Sequence, residues 1–163
     1  MLEWLSSKVA VAVAAMLLLS SSTAYFANQN DGVRRTEIVN VARGIASFVD
    51  AAFGLSGEVE FTASCEGDAN LLMPDAISGS PYEIHLRHDA VIAAQEGVTA
   101  IAHWTGDLHF WDTGGVAVDS ALVRELDADH DSLNLVSCER FNISIEEILV
   151  DSSPCLLAFA HPV

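Results

Sequence analysis

The pattern of hydrophobic and polar residues divides the chain into an apolar N-terminal run, a segment with helical spacing and a long alternating remainder. The apolar run extends from Val9 to Ala27 (VAVAVAAMLLLSSSTAYFA) and contains no charged residue. As an α-helix it would be about 28 Å long, which is close to the thickness of the hydrocarbon core of a bilayer. We expect a membrane or assembly helix formed by Val9, Val11, Ala12, Val13, Ala15, Met16, Leu17, Leu18, Leu19 and Phe26.

Three interpretations of this apolar run remain open. Residues 1–24 resemble a cleaved secretory signal, since Ser22 and Ala24 are small residues at the positions that precede a cut. Alternatively, the run is a permanent single-pass anchor, or it is the first half of a long helix that packs against copies of itself. The residues before the run include Glu3 and Trp4, which are atypical of a signal. We therefore favour a permanent helix, with the rest of the chain outside the cell.

A second apolar pattern follows the polar residues Asn28 to Gly32. Its apolar residues recur every three or four positions, which predicts an amphipathic helix of about 20 residues. We expect this helix to continue from the apolar run with a kink near Gly32, and to end near Gly54 and Gly57. Its stripe should pack on the strands that follow, and consists of Ile38, Val41, Ala42, Ile45, Val49 and Ala52, with Phe48 beside them.

From Glu58 onward, apolar and polar residues alternate as in half-buried β-strands. Turns at His88–Asp89 and at Gln95–Gly97 predict an antiparallel meander, and Pro74 lies in a predicted loop. The pattern is ambiguous over residues 114–131 and 146–151. The predicted strands are 58–63, 82–87, 90–94, 98–104, 133–137, 141–145 and 156–160, and the loop is 71–81.

The sequence therefore predicts an α+β fold. A long N-terminal helix, first apolar and then amphipathic, packs on an antiparallel β-sheet or sandwich-like domain. We expect residues 1–31 to form the transmembrane or assembly helix. Residues 32–57 would continue it as the amphipathic helix, and residues 58–163 would form the extracellular β-rich domain.

Charge is concentrated in the part of the chain after the apolar run. The formal net charge is −16, from 23 acidic and 7 basic residues, and only Glu3 and Lys8 among these precede residue 30. Such a balance argues against binding to nucleic acid, which requires neutralisation of phosphates, and against adsorption to anionic lipid. It favours a solvated acidic surface, or a surface that binds cations.

The three cysteines suggest one disulfide and one free thiol if the domain lies outside the cell. The candidates are Cys65, Cys138 and Cys155, and their spacing leaves the pairing open. No Cys-x-x-Cys occurs, which argues against a zinc ribbon or a thioredoxin-like site. The sequence Asn142-Ile143-Ser144 makes Asn142 a candidate for glycosylation in an extracellular domain.

Calcium is the only cofactor that the sequence suggests. Asp127, Asp129 and Asp131 alternate as in the opening of a calcium-binding loop. Ser132 and Cys138 stand where a complete EF-hand has glycine and glutamate, so the candidate is a looser Ca²⁺ site. The six histidines are interpreted as ordinary surface or half-buried residues.

Two further features bear on function. Trp104 and Trp111 suggest an aromatic patch for a sugar or a protein partner, although packing in the core is the favoured interpretation. The chain contains no P-loop, no G-x-G-x-x-G, no G-x-S-x-G and no H-E-x-x-H motif. We therefore expect a protein that is not an enzyme.

This order of elements resembles the type IV pilin-like proteins, in particular the archaeal pilin-like and archaellin-related surface proteins. The last of the three segments that carry the resemblance contains the pattern P-x-x-I-x-G-x-x-Y-x-I. The segments are WLSSKVAVAVAAMLLLSSSTAYF (4–26), TEIVNVARGIASFVDAAF (36–53) and MPDAISGSPYEIHLRHDAVIAA (73–94).

The resemblance implies a membrane-anchored extracellular structural or adhesion protein. Such a protein is either a subunit of a surface filament, major or minor, assembled through its N-terminal helix with identical or related subunits, or an anchored relative outside a filament. Its location would be the cell membrane, as a single-pass protein with the C-terminal domain outside, or an extracellular filament. The alternative is a secreted or tethered β-domain that binds a glycan, a protein or Ca²⁺.

Overall fold

The computed structural model describes residues 2–55, 59–112 and 118–163, and the side chains of residues 2–15, 24, 26 and 27 lie outside this description. The described residues form a long helix α1 and a short helix α2 together with nine strands. The helices are Leu2–Phe53 (α1) and Ser120–Asp129 (α2). The strands are Val59–Ser64 (β1), Leu71–Leu72 (β2), Glu83–Arg87 (β3), Ala90–Gln95 (β4), Val98–His103 (β5), Leu108–His109 (β6), Ser132–Val136 (β7), Phe141–Val150 (β8) and Ser153–Pro162 (β9).

The predicted α+β fold class is confirmed. The chain divides into two compact units, residues 1–34 and residues 35–163. The first unit is helical where it is described. The second unit, called the head domain below, contains the last part of α1, the short helix and both sheets.

Helix α1 includes the polar residues Asn28 to Gly32, so the predicted continuation of the apolar run into the second helical segment is confirmed, and the kink near Gly32 stays a prediction. A glycine in a helix interior costs only about 1 kcal/mol relative to alanine, a cost that α1 tolerates at Gly32. The helix ends at Phe53, next to the predicted stop at Gly54. The other predicted stop, Gly57, lies outside the described residues.

The last part of α1 contributes one face to the core of the head domain. All six residues of the predicted stripe are buried: Ile38, Val41, Ala42, Ile45, Val49 and Ala52. They belong to one hydrophobic cluster that includes Ile84 of β3 and Ile143 of β8, and thus residues of both sheets. Burial of a Val or Ile side chain contributes about 1.5–3 kcal/mol, so this face is a major source of stability for the head domain.

The first sheet has five strands in the order β2-β1-β8-β9-β6. Its longest pairing is the antiparallel hairpin of β8 and β9, which turns at Asp151–Ser152 with positive φ at both residues. Both short edge strands pair in parallel, β2 with β1 and β6 with β9. The sheet is therefore mixed, whereas the sequence predicted antiparallel pairing.

The second sheet has four antiparallel strands in the order β5-β4-β3-β7. The predicted turn between β4 and β5 is a two-residue turn at Glu96–Gly97, and both residues have positive φ. The predicted connection His88–Asp89 joins β3 to β4. Strand β7 comes much later in the chain and pairs with β3, so the meander gains a fourth strand from a distant segment. The predicted sandwich-like arrangement of the two sheets stays a prediction.

Four elements differ from those predicted. Strand β8 extends to Val150 and so includes most of the ambiguous segment 146–151, and α2 occupies part of the ambiguous segment 114–131. The short strand β2 lies in the predicted loop, and β6 was not predicted. Two-residue strands give no alternation to detect, which explains why β2 and β6 were missed.

The disulfide joins Cys65 to Cys138, and Cys155 is the free cysteine. Cys65 directly follows β1 of the first sheet, and Cys138 follows β7 of the second sheet. The bond therefore links the two sheets covalently.

The segment before β3 forms a compact turn. Ile77 and Ser80 exchange backbone hydrogen bonds, and Ser78 and Gly79 between them have positive φ. The amide nitrogen Nε2 of buried Gln95 donates to the carbonyl oxygens of Ile77 and Ser80. These contacts give a physical reason for the glycine in the P-x-x-I-x-G-x-x-Y-x-I pattern.

Tyr82 lies at the end of the same segment, directly before β3. Its side chain is buried, and its hydroxyl donates a hydrogen bond of 2.8 Å to the carbonyl oxygen of Pro74. Burial, together with the carboxylate of Asp75, raises the pKa of Tyr82 from 10.0 to about 12. The fold therefore stabilises the neutral phenol.

Reduction of the disulfide should destabilise the head domain strongly. The linked cysteines are 73 residues apart, and a cross-link over such a loop stabilises a fold by about 4 kcal/mol through the entropy of the unfolded chain. Unfolding by urea with and without reductant measures the effect, and Cys155→Ser is the matched control because Cys155 is not bonded. Equal unfolding free energies in both states would contradict this role.

Tyr82 should make stability depend on pH in the alkaline range. Because its pKa is higher in the fold, its contribution is fully present below pH 10.0 and is lost as the pH rises through about 12. The loss should amount to about 2–3 kcal/mol, since one pKa unit corresponds to about 1.4 kcal/mol. Urea unfolding of the wild type and of Tyr82→Phe over this range isolates the effect. Unfolding free energies that change with pH in the same way in both proteins would contradict this effect of Tyr82.

Candidate functional site

A stretch of α1 in the first unit exposes large apolar side chains in succession. Met16, Leu17, Leu18 and Leu19 are 70%, 65%, 69% and 67% exposed. Successive residues of an α-helix point about 100° apart, so these four side chains together cover every side of the helix. No single face of α1 can therefore bury them all.

The polar residues that follow direct their hydroxyl groups to the helix backbone. The hydroxyls of Ser20 and Ser21 donate to the carbonyl oxygens of Leu17 and Leu18, each at 3.0 Å. Thr23 donates to the carbonyl oxygen of Ser20 at 2.9 Å. Such internal bonds satisfy hydroxyl groups without water. The segment is therefore less polar than its composition indicates.

The rest of the predicted membrane or assembly helix is only partly described. The side chains of Val9, Val11, Ala12, Val13, Ala15 and Phe26 lie outside the described residues. Across the portion of the chain that the structure does describe, no helix is sufficiently long and apolar to span a membrane.

A second candidate site lies in the head domain, where His88, His109 and Asp127 come together. Each can offer one ligand atom to a metal ion, and these atoms all lie within 4.8 Å of one another. His88 belongs to the turn between β3 and β4, His109 to β6 and Asp127 to α2. The site is thus assembled from both sheets and the short helix.

Asp127 is the acceptor at the centre of this cluster. Its Oδ1 lies 2.7 Å from Nδ1 of His109 and accepts a hydrogen bond, also of 2.7 Å, from Nε1 of Trp111. An ionised carboxylate only accepts, so Nδ1 of His109 carries the proton in this contact. The His109 ring contacts the rings of Trp111 and Phe159, with a centroid distance of 5.6 Å to each, and those two rings also contact each other. Its orientation is therefore fixed by packing as well as by hydrogen bonding.

The His88 ring lies between two backbone carbonyl groups. Nδ1 is 2.8 Å from the carbonyl oxygen of Leu108, and Nε2 is 3.3 Å from the carbonyl oxygen of Asp127. The backbone of Leu108 also donates to the carbonyl oxygen of His88. A neutral imidazole has one N–H and can satisfy only one of the two carbonyls that face it.

Helix α2 carries Asp127 into this position although it contains no fully buried residue. Asp119 caps its N-terminus by accepting a hydrogen bond from the backbone N–H of Leu122. Val123 and Leu126 are partly buried against a small cluster that includes Trp111 and Phe159. The contacts of Asp127 are thus a large part of what holds α2 to the sheets.

The three predicted calcium ligands have different surroundings. Asp127 faces His109 and Trp111, whereas Asp129 and Asp131 are exposed. Among the described residues, the group within reach of one metal ion contains Asp127 and the two histidines, without the other two aspartates. The alternation along the sequence does not become a shared ligand set, because Asp127 lies in a helix. Calcium binding itself stays a prediction.

The other predicted residues have clear positions. Trp104 and Trp111 are 7% and 4% exposed, so they pack in the core, in line with the favoured interpretation. Asn142 lies within β8, where its side-chain oxygen accepts a hydrogen bond of 2.8 Å from the Thr62 hydroxyl. Glycosylation of Asn142 stays a prediction.

The cluster of His88, His109 and Asp127 was not predicted from the sequence. They come from three elements that are distant in the sequence, so no fixed spacing marks them. Only the fold brings them together. Comparisons with protein-family models, with curated proteins and with solved structures give no match to this chain.

Proposed function

We propose that this chain is a pilin-like, membrane-anchored surface protein that associates with identical or related subunits through the first half of α1. In this proposal α1 is apolar in its first half and amphipathic in its second half. The strands form a sandwich-like domain outside the cell. The role is structural or adhesive, at the membrane or in a surface filament.

The exposure of residues 16–19 on every side of α1 is the observation that carries this proposal. Covering a Leu or Met side chain contributes about 1.5–3 kcal/mol, so four of them provide a strong driving force for association. A helix that is apolar all round is buried in lipid or among other helices. The internal hydrogen bonds of Ser20, Ser21 and Thr23 favour the same surroundings, since they leave fewer hydroxyl groups that need water.

The head domain has the properties expected of the part outside the membrane. Nearly all of the charge that gives the net −16 follows residue 30. The disulfide between Cys65 and Cys138 is typical of an oxidising compartment. The strong negative charge disfavours contact with anionic lipid headgroups, so the head domain is expected to face solvent.

Assembly would transfer the first half of α1 from lipid to a bundle of helices. Both surroundings are apolar, so the preference depends on how closely the helices pack. Small residues permit close approach, and the apolar run contains Ala10, Ala12, Ala14 and Ala15. The mechanism is thus an exchange of lipid contacts for helix contacts.

A charge in the exposed apolar stretch should abolish both membrane retention and association. Leu18→Asp places a carboxylate where lipid or a neighbouring helix is expected, at a cost of about 2.5–3.5 kcal/mol at the centre of a bilayer. We expect a loss on the order of 100-fold in the fraction retained by membranes, and loss of cross-linked oligomers. Membrane flotation and cross-linking of the full chain measure both.

Leu72→Asp is the matched control, because Leu72 lies in the head domain and is 64% exposed, close to the 69% of Leu18. This variant should behave as the wild type. Retention and cross-linking of Leu18→Asp at wild-type levels would overturn the proposal. So would a mature protein that begins at Tyr25, since cleavage there removes the apolar stretch and leaves the tethered or secreted binding domain as the better account.

A further inference from the structure

The cluster of His88, His109 and Asp127 has the composition of a transition-metal site. Two imidazoles and one carboxylate are a common set of three protein ligands for Zn²⁺, with the fourth position left to water. Calcium and magnesium prefer oxygen ligands throughout, so the two histidines argue against them here. We propose that these three residues bind one Zn²⁺ ion in the head domain.

The distances require only small movements. Zinc bonds of about 2.0–2.1 Å place the ligand atoms of a tetrahedral site about 3.3 Å apart. The ligand atoms of the cluster already lie within 4.8 Å of one another. If Nδ1 of His109 and Oδ1 of Asp127 both bind the ion, they move apart from 2.7 Å by about half an ångström. The proton on Nδ1 of His109 is released, and Nε2 takes up a proton from solvent, so that the imidazole binds the ion in its neutral form.

The contacts of His88 leave one ring nitrogen available to bind a cation. When Nδ1 donates its proton to the carbonyl oxygen of Leu108, Nε2 carries a lone pair. That lone pair then lies 3.3 Å from the carbonyl oxygen of Asp127, which is a second acceptor. Two acceptors in contact repel each other unless a cation or a proton lies between them. A carbonyl that orients the other ring nitrogen is also the usual arrangement around a zinc-binding histidine.

Binding of the ion would stabilise the head domain. His88 belongs to the turn between two strands of the second sheet, and His109 belongs to β6 of the first sheet. Asp127 belongs to α2, which has no fully buried residue. One Zn²⁺ would therefore link both sheets to a helix that packing alone holds weakly. The net charge of −16 also attracts cations to this domain.

The experiment uses the full chain in detergent, purified without a polyhistidine tag and stripped of metal with a chelator. Titration with Co²⁺ reports the site through its visible absorption, and competition with Zn²⁺ gives the affinity. We expect one ion per chain and a rise in the melting temperature on addition of Zn²⁺. Because both readouts concern the head domain in detergent, they are independent of membrane retention and assembly.

Two variants test the ligands. Asp127→Asn keeps an oxygen that accepts the hydrogen bond of Trp111 but removes the carboxylate, and His88→Gln removes one imidazole. Each should weaken Zn²⁺ binding by more than the roughly 10–100-fold that loss of an outer-shell partner costs. In each variant, Zn²⁺ should no longer raise the melting temperature. Should one variant fail to fold, the other and the wild-type titration still decide.

Three control variants keep the proposed ligands. Asp129→Asn changes an exposed aspartate of the same helix, and His103→Gln changes an exposed histidine that lies 3.7 Å from Asp89. Cys155→Ser removes the free thiol, which is a zinc-binding group outside the proposed site. All three should bind Zn²⁺ as the wild type does.

Absence of Co²⁺ absorption in the wild type would overturn the proposal. Loss of binding in Cys155→Ser, or stabilisation of the wild type by Ca²⁺ and not by Zn²⁺, would overturn it as well. If Zn²⁺ changes the melting temperature of neither the wild type nor Asp127→Asn, the proposal is overturned. A melting temperature of Asp127→Asn below that of the wild type would then show that Asp127 acts through its hydrogen bonds alone.

Discussion

The burial of one face of α1 in the core of the head domain is the packing interaction on which the rest of the structure depends. Ile38, Ile45 and Val49 are fully buried in a cluster that takes residues from both sheets. The last part of α1 is therefore a core element of the head domain. The exposed residues 16–19 lie earlier in the same helix, within the first unit.

Other interactions stabilise the parts of the head domain that have few apolar contacts. The disulfide between Cys65 and Cys138 links the ends of β1 and β7, and thereby the two sheets. The cluster around Asp127 holds α2, which buries no residue fully. His109 and Trp111 supply the donors, so a polar network replaces the apolar contacts that the helix lacks. In the proposed zinc site the ion replaces the hydrogen bond between His109 and Asp127, and Trp111 still donates to Asp127.

Local patterns predicted the parts of the fold that depend on local order. The stripe from Ile38 to Ala52 and the turn at Glu96–Gly97 follow from periodicity and from a glycine with positive φ. The turn between β8 and β9 was not predicted because its two residues, Asp151 and Ser152, have positive φ although neither is a glycine. The disulfide pairing and the cluster of His88, His109 and Asp127 depend on contacts between distant elements. The surroundings of Asp127 could not be predicted from its alternation with Asp129 and Asp131, because they depend on the packing of α2 against distant elements.

The central claim is that the first part of α1 needs an apolar partner, whereas the head domain is complete without it. Sedimentation of the full chain and of a chain that begins at Gly32, both in buffer without detergent, tests this claim most directly. The account predicts that the shorter chain is a folded monomer with the unfolding midpoint of the full chain. It predicts that the full chain self-associates unless detergent is added. A full chain that stays monomeric in buffer, with residues 16–19 still attached, would contradict the account.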